Sequence, residues 1–175
     1  MRIRNVAALA GFLVAVAGPP LETVRHVDLD RYTGRWFEIA RYPNRFERKC
    51  DRDVTAEYSK KENGTIRVVN ACVTRTGAIE RSEGTAKIVD PSTNAKLKVT
   101  FFWPFYGKYW IIGLGDQYEY AVVGEPSREY LWILSRTPAI QDALYRKILL
   151  QVAASGYEPR KLVKTTQTAA VKPSS

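Results

Sequence analysis

Few residues of this chain could do covalent chemistry. The single histidine, His26, stands in an irregular lead-in, so a cluster of imidazole metal ligands is excluded and a serine or cysteine nucleophile has no histidine base at hand. His26 reads as an exposed loop residue. Glu38 sits in a strand-like run and could face the inside of a barrel, but a lone carboxylate lacks the partner that acid–base hydrolysis uses. Gly113-Leu114-Gly115 is not followed by the third glycine and helix of a dinucleotide site, and no phosphate-binding loop occurs. No catalytic residue, no cofactor and no metal are therefore assigned, and these residues leave an enzyme unsupported.

Cys50 and Cys72 are the two cysteines. With no C-x-x-C and no neighbouring histidine, a redox or metal-binding pair is the weaker reading and a disulfide the stronger one. The segments Val54–Tyr58 and Ile66–Asn70 read as strands, with the turn Lys61-Glu62-Asn63-Gly64 between them. Paired positions of an antiparallel hairpin share one sum. Tyr58 with Gly64 or Thr65 gives nearly the same sum as Cys50 with Cys72, so the two thiols fall roughly opposite each other at the hairpin's open end.

The elements that must position these residues are short. The 175 residues suit one domain, and 45% hydrophobic with 26% charged residues is an ordinary globular balance. Met1-Arg2-Ile3-Arg4-Asn5, the apolar Val6–Ala17 run and Ala15-Val16-Ala17 match a cleavable export signal over 1–17. No cysteine follows the run, so the attachment point of a bacterial lipoprotein is missing and a soluble, periplasmic protein is expected. The net charge is +9; Arg2 and Arg4 are the only charges of the signal, so 25 basic and 18 acidic residues remain, +7. That balance admits nucleic acid, anionic lipid surfaces or acidic ligands, or simply a solvated basic surface.

Strand-like runs are predicted at 35–42, 53–60, 65–73, 79–89, 95–102, 108–114, 118–124 and 129–135. Turn chemistry separates them at Thr76-Gly77, Asp90-Pro91-Ser92, Gly115-Asp116 and Glu125-Pro126-Ser127. Eight strands with no helix between them point to an antiparallel sandwich or barrel. One helix is predicted from Thr137 as N-cap and Pro138 as first residue, carrying Ile140, Leu144, Ile148 and Val152 as one stripe and stopping at Gly156. A short strand, 161–164, follows. The barrel domain is placed at 18–165 and a disordered tail at 166–175.

Three sets of residues resemble the motifs of lipocalins. Gly34-Arg35-Trp36 resembles the G-x-W that opens the first lipocalin strand. Gly115-Asp116-Gln117-Tyr118 is similar to the motif between the sixth and seventh strands, with Gly115 where the family usually has Thr. Tyr130–Arg136 resembles the last motif, whose arginine ends the eighth strand. Arg45–Arg48, Ser82–Ala86 and Phe102–Gly107 are similar to the bacterial lipocalin and apolipoprotein D-like subgroup. The resemblance spans about 27–165. It implies an all-β fold, an eight-stranded antiparallel up-and-down barrel with one C-terminal α-helix packed outside. It implies structural roles for Gly34, Trp36, Asp116, Tyr118 and Arg136, with Arg136 over the Trp36 ring.

On that barrel, side-chain parity places Trp36, Glu38 and Ala40 inward, together with Ala56 and Tyr58, Val68 and Asn70, Ala86, Val99 and Phe101, Trp110 and Ile112, and Trp132 and Leu134. Glu38, Ala40, Ala56, Tyr58, Val68, Asn70, Val99, Phe101, Trp110 and Trp132 are the candidate ligand-binding residues. The resemblance implies a fatty acid or lysophospholipid as ligand, in storage or transport that maintains the bacterial envelope. The expected partners are that ligand and, beyond it, the outer-membrane surface or a second copy meeting through Trp103 and Phe105; nucleic acid is not expected. Two rival readings stay open: an isomerase or synthase using Glu38, and a nucleic-acid-binding small barrel.

Overall fold

The computed structural model describes residues 19–170, so the 1–17 export signal lies outside the described residues, as do residues 171–175. The chain forms α1 (Leu29–Tyr32), β1 (Gly34–Arg41), β2 (Cys50–Lys60), β3 (Ile66–Thr74), β4 (Ile79–Ile88), β5 (Lys96–Phe102), β6 (Phe105–Leu114), β7 (Tyr120–Gly124), β8 (Leu131–Ser135), α2 (Asp142–Ala154) and β9 (Val163–Lys164). Strands β1 to β8 pair antiparallel in sequence order, and β8 and β2 both pair with β1, closing an eight-stranded barrel; β9 is one extra strand on β1. The predicted all-β barrel with one outer helix is the observed fold.

The closed end is built on Trp36, whose side chain is fully buried. Its indole N–H donates to Tyr32 O at 2.8 Å, and the Arg136 guanidinium lies 3.8 Å from the centre of its ring. Arg136 also donates to the carbonyls of Arg35, Arg31 and Tyr32, tying β8's end to α1 and β1. Gly34 enters this corner at φ +93°, a backbone region costly for any residue with a Cβ. Tyr118 Oη accepts from Asp28 N, while Asp116 contributes its backbone carbonyl to Arg31.

Two apolar clusters flank the sheet. The inner one holds Trp36, Ala56, Tyr58, Ile66, Val68, Leu97, Ile111, Val123 and Leu134. The outer one packs Ile39, Ile112, Tyr120, Val122 and Ile133 against Ile148 and Val152 of α2. The helix starts at Asp142, not at Pro138. Thr137 donates its hydroxyl to Ala139 O and its N–H to Ser135 Oγ, so it braces the turn leaving β8 and does not cap the helix. Gly156, at φ +81°, ends the helix where the sequence places the stop.

The β2–β3 hairpin has a wider loop than the Asn-Gly turn suggests. Lys60 faces Ile66 and Tyr58 faces Val68, with Gly64 at φ +77° closing the loop onto Lys61. Two irregularities in β2, around Arg52 and Asp53, then pull the ladder partly back; Cys50 faces Thr74, two residues past Cys72, so the thiols are not directly opposite as expected. The disulfide Cys50–Cys72 forms across a Cα separation of 5.6 Å.

The barrel's seam needs the C-terminal segment. β1 pairs with β2 only from Gly34 to Phe37. Above that point Thr165 N donates to Ile39 O, Asp53 N donates to Thr166 O, and the Gln167 amide donates to Glu38 O (2.9 Å) and Val54 O (2.8 Å). Thr168 N donates to Asp53 Oδ1 at 2.6 Å. The tail predicted over 166–175 is therefore corrected for residues 166–170: Gln167 is only 5% exposed and bridges two strands that no longer reach each other. A polar stretch without periodicity hides this role, because one amide serves two carbonyls rather than a hydrophobic face.

Replacing Gln167 by Ala leaves two buried strand carbonyls without a donor. Urea unfolding should read a loss of about 2 kcal/mol. A change within about 0.5 kcal/mol of zero would show that the seam does not depend on this side chain.

Candidate functional site

The inner face is set by strand parity, and two features shift it from the predicted one. In β1 the register slips between Glu38 and Ala40, so Ile39 and Ala40 both pack with the outer cluster and Arg41 returns to the row of Trp132. In β6, Tyr109 and Ile111 belong to the inner cluster, while Trp110 and Ile112 pack on the helix side. Ala40 and Trp110 are therefore not lumen residues. The causes differ: Ala40 is turned outward by the β1 slip, whereas β6 lies between lumen and helix, so both its faces are apolar and the sequence does not show which one is inward. Glu38, Ala56, Tyr58, Val68, Asn70, Val99, Phe101 and Trp132 do share the inner face.

The floor of the lumen is a hydroxyl cluster. Tyr109 Oη lies 2.7 Å from Tyr32 Oη and 2.9 Å from Tyr58 Oη, above the Trp36 ring. Burial pushes all three phenols up, Tyr58 to about 12, so they stay neutral donors. Three hydroxyl protons serve two contacts, which leaves one proton not used within the cluster. Tyr32 and Tyr109 were not among the predicted residues; Tyr109 is reachable from sequence only with the β6 parity in hand.

Above the floor the wall is apolar. Ala56 and Ala86 keep it wide, and Phe101 lies against Gly84, where a Cβ would come 2.8 Å from its ring. Ile88, Val99, Phe101, Tyr109 and Trp132 face inward yet keep partial solvent exposure.

Near the mouth a polar cluster crosses from β1 to β8. Arg41 Nη1 donates to Glu38 Oε1 (2.7 Å) and to Thr165 Oγ1 (3.0 Å), and Arg41 Nε stands 3.0 Å from Glu47 Oε2. Trp132 Nε1 donates to Glu47 Oε1 at 2.8 Å, and Thr165 Oγ1 donates to Glu38 Oε1. Burial first, then the Glu47 carboxylate, push the Glu38 carboxyl up to about 8 against the pull of Arg41. Glu47 Oε2 is buried and meets Arg41 as an ion pair, without a hydrogen-bond partner of its own. Arg41 and Glu47 were missed because the first becomes inward only through the β1 slip and the second belongs to a loop. Among the described residues, no group of His, Cys, Asp and Glu could hold a metal ion.

Residues 27–167 match the family model of the Lipocalin-like domain. The chain is 43% identical to the outer membrane lipoprotein Blc of Citrobacter freundii, covering 97% of this chain and 100% of that protein. It is 31% identical to apolipoprotein D of Macaca fascicularis, over 95% of each chain. Among solved structures, insecticyanin of the tobacco hornworm Manduca sexta superposes with a TM-score of 0.68 at 22% identity, covering 84% of each chain, a likeness of fold.

The raised Glu38 carboxyl makes stability depend on pH. The unfolded chain loses this proton near 4.5 and the folded chain near about 8. Between those values the folded state holds a proton that the unfolded state has released, so the contribution is complete below 4.5 and is lost as pH rises through about 8. Urea unfolding from about pH 5 to about pH 8.5 should show a fall of order 4 kcal/mol that Glu38→Gln flattens. Parallel pH profiles for the two proteins would refute the assignment.

Proposed function

This chain belongs to the lipocalin family, in the bacterial Blc and apolipoprotein D-like subgroup, and as a member it binds a hydrophobic ligand; from that premise we propose that the ligand is a long-chain lipid, a fatty acid or lysophospholipid, held in the lumen between the tyrosine floor and the Arg41–Glu47 mouth. The observation that carries this reading is the set of inward apolar residues that remain solvent-accessible, Ile88, Val99, Phe101 and Trp132. An alkyl chain placed along that wall gains about 0.8 kcal/mol per buried CH₂, enough for affinity without elaborate polar recognition. Glu38, Ala56, Tyr58, Val68, Asn70, Val99, Phe101 and Trp132 line the proposed site. Ala86, Ile88, Tyr109 and Arg41 join them, and Ala40 and Trp110 leave it.

The proposed setting is the bacterial envelope, where lipid storage or transport would support membrane maintenance. The basic, apolar start of the chain and the Cys50–Cys72 disulfide support export to an oxidising compartment, the periplasm. The curated relatives called outer membrane lipoproteins support the same envelope setting. Binding rather than turnover is supported by Glu38 itself. Its carboxyl is tied to Arg41 and Thr165 at the seam, not held free above an apolar substrate.

Fluorescent fatty-acid displacement, with native mass spectrometry of the purified protein, tests the reading. Affinity should rise about fourfold per added CH₂ until the lumen is spanned. Val99→Trp should weaken binding by more than about tenfold while circular dichroism stays unchanged. No lipid carried by the protein, and no competition by any lipid at micromolar concentration, would overturn it.

A further inference from the structure

Strand direction sends four connections to the mouth of the barrel: residues 42–49, 75–78, 103–104 and 125–130. Large apolar side chains stand out on the first three of these and their flanks. Phe102 and Trp103 are each 81% exposed, Phe105 77%, Ile79 66% and Phe46 63%, and none belongs to either apolar cluster. They crown the β5–β6 hairpin and its neighbours. Single exposed apolar residues are ordinary, but Phe102, Trp103 and Phe105 stand together on one hairpin tip, and a contiguous exposed apolar patch marks a protein or membrane contact site.

The same sector is basic. Arg45, Arg48 and Lys49 lie on the β1–β2 connection, Arg75 on the β3–β4 turn and Arg81 just below it, all exposed. Of the acids there, Glu47 turns inward to Arg41 and Glu80 faces Lys49 at 3.9 Å, while Glu129 on the fourth connection is exposed. Behind the aromatic tip Lys98 pairs with Lys108 across the hairpin, and Lys98 and Lys87 lie over the Tyr106 ring at 5.0 and 5.8 Å.

We propose that the mouth of the barrel docks on an anionic lipid bilayer, with Phe102, Trp103 and Phe105 entering the interfacial layer and the basic rim meeting the headgroups. Aromatic side chains favour that layer, where a ring can be half buried, and cations beside them gain from a negative surface. The competing occupant is a second copy. A two-fold interface sets the same patch against itself, so Arg45, Arg48 and Lys49 would face their own copies, and the charge that favours a negative surface opposes self-pairing. This inference goes beyond ligand binding and does not require it. Docking would, however, place the lumen's entrance against the phase that holds lipids.

The test is flotation of the full chain with vesicles of phosphatidylcholine alone and with about a third phosphatidylglycerol. Partition should be about tenfold stronger onto the anionic vesicles and should collapse at about 1 M salt, where the screening length is about 3 Å. Trp103→Ser with Phe105→Ser, and separately Arg45→Glu with Arg48→Glu, should each weaken partition about tenfold. Thermal unfolding and fatty-acid displacement in solution should stay as in the unsubstituted chain, which separates this proposal from the ligand reading. Equal partition onto both vesicles, or no effect of either pair, would overturn it. So would sedimentation equilibrium showing a dimer that the aromatic substitutions dissolve.

Discussion

A sheet closed on itself must satisfy both neighbours of its first strand, and here that constraint falls on β1. Its lower half, from Gly34 to Phe37, pairs with β2, while its upper half pairs with β8 and β9. The slip at Ile39 is what turns it away. The gap it opens would leave strand carbonyls unpaired in a buried place, which is costly. Gln167 fills that gap with one side chain, donating to both flanking strands. The barrel is thus closed by pairing at the bottom and by the C-terminal segment at the top.

The same slip decides the chemistry of the lumen. By returning Arg41 to the inner row, it brings a guanidinium between Glu38 and Glu47, where two carboxylates would otherwise repel each other. Arg41 and Thr165 also reach Glu38 together, so the polar cluster and the seam share a residue. At the far end the lumen meets neutral phenols instead of charge. The interior therefore runs from an uncharged hydroxyl floor, through an apolar wall, to an ionic mouth. The remaining basic residues lie outside it, at the rim and on the outer face.

Much of this was legible from residues alone. The Gly34–Trp36 and Tyr130–Arg136 segments, the eight runs between turn residues, and the α2 stripe of Ile148 and Val152 all carry strong local signals. Each joins a backbone requirement to a periodicity of hydrophobic residues. The disulfide was legible as a pair, although the hairpin register behind it differs: the irregularities near Asp53 take back only half of the shift made by the wider loop at Gly64, so Cys50 stands opposite Thr74 and bonds diagonally to Cys72. Thr137-Pro138 carries a helix-start signal, yet the Thr137 hydroxyl is taken by Ala139 O.

By itself, then, the sequence determined the barrel, its plug of Trp36 and Arg136, its outer helix and most of its inner wall. Alternation and turn chemistry are local properties, and they survive any detail of packing. Only the tertiary structure decided that Ala40 and Trp110 face the helix, that Arg41, Glu47 and Tyr109 face the lumen, and that Gln167 completes the seam. Where a strand is covered on both faces, hydrophobicity no longer says which side is in. A single bulge then reverses every residue beyond it.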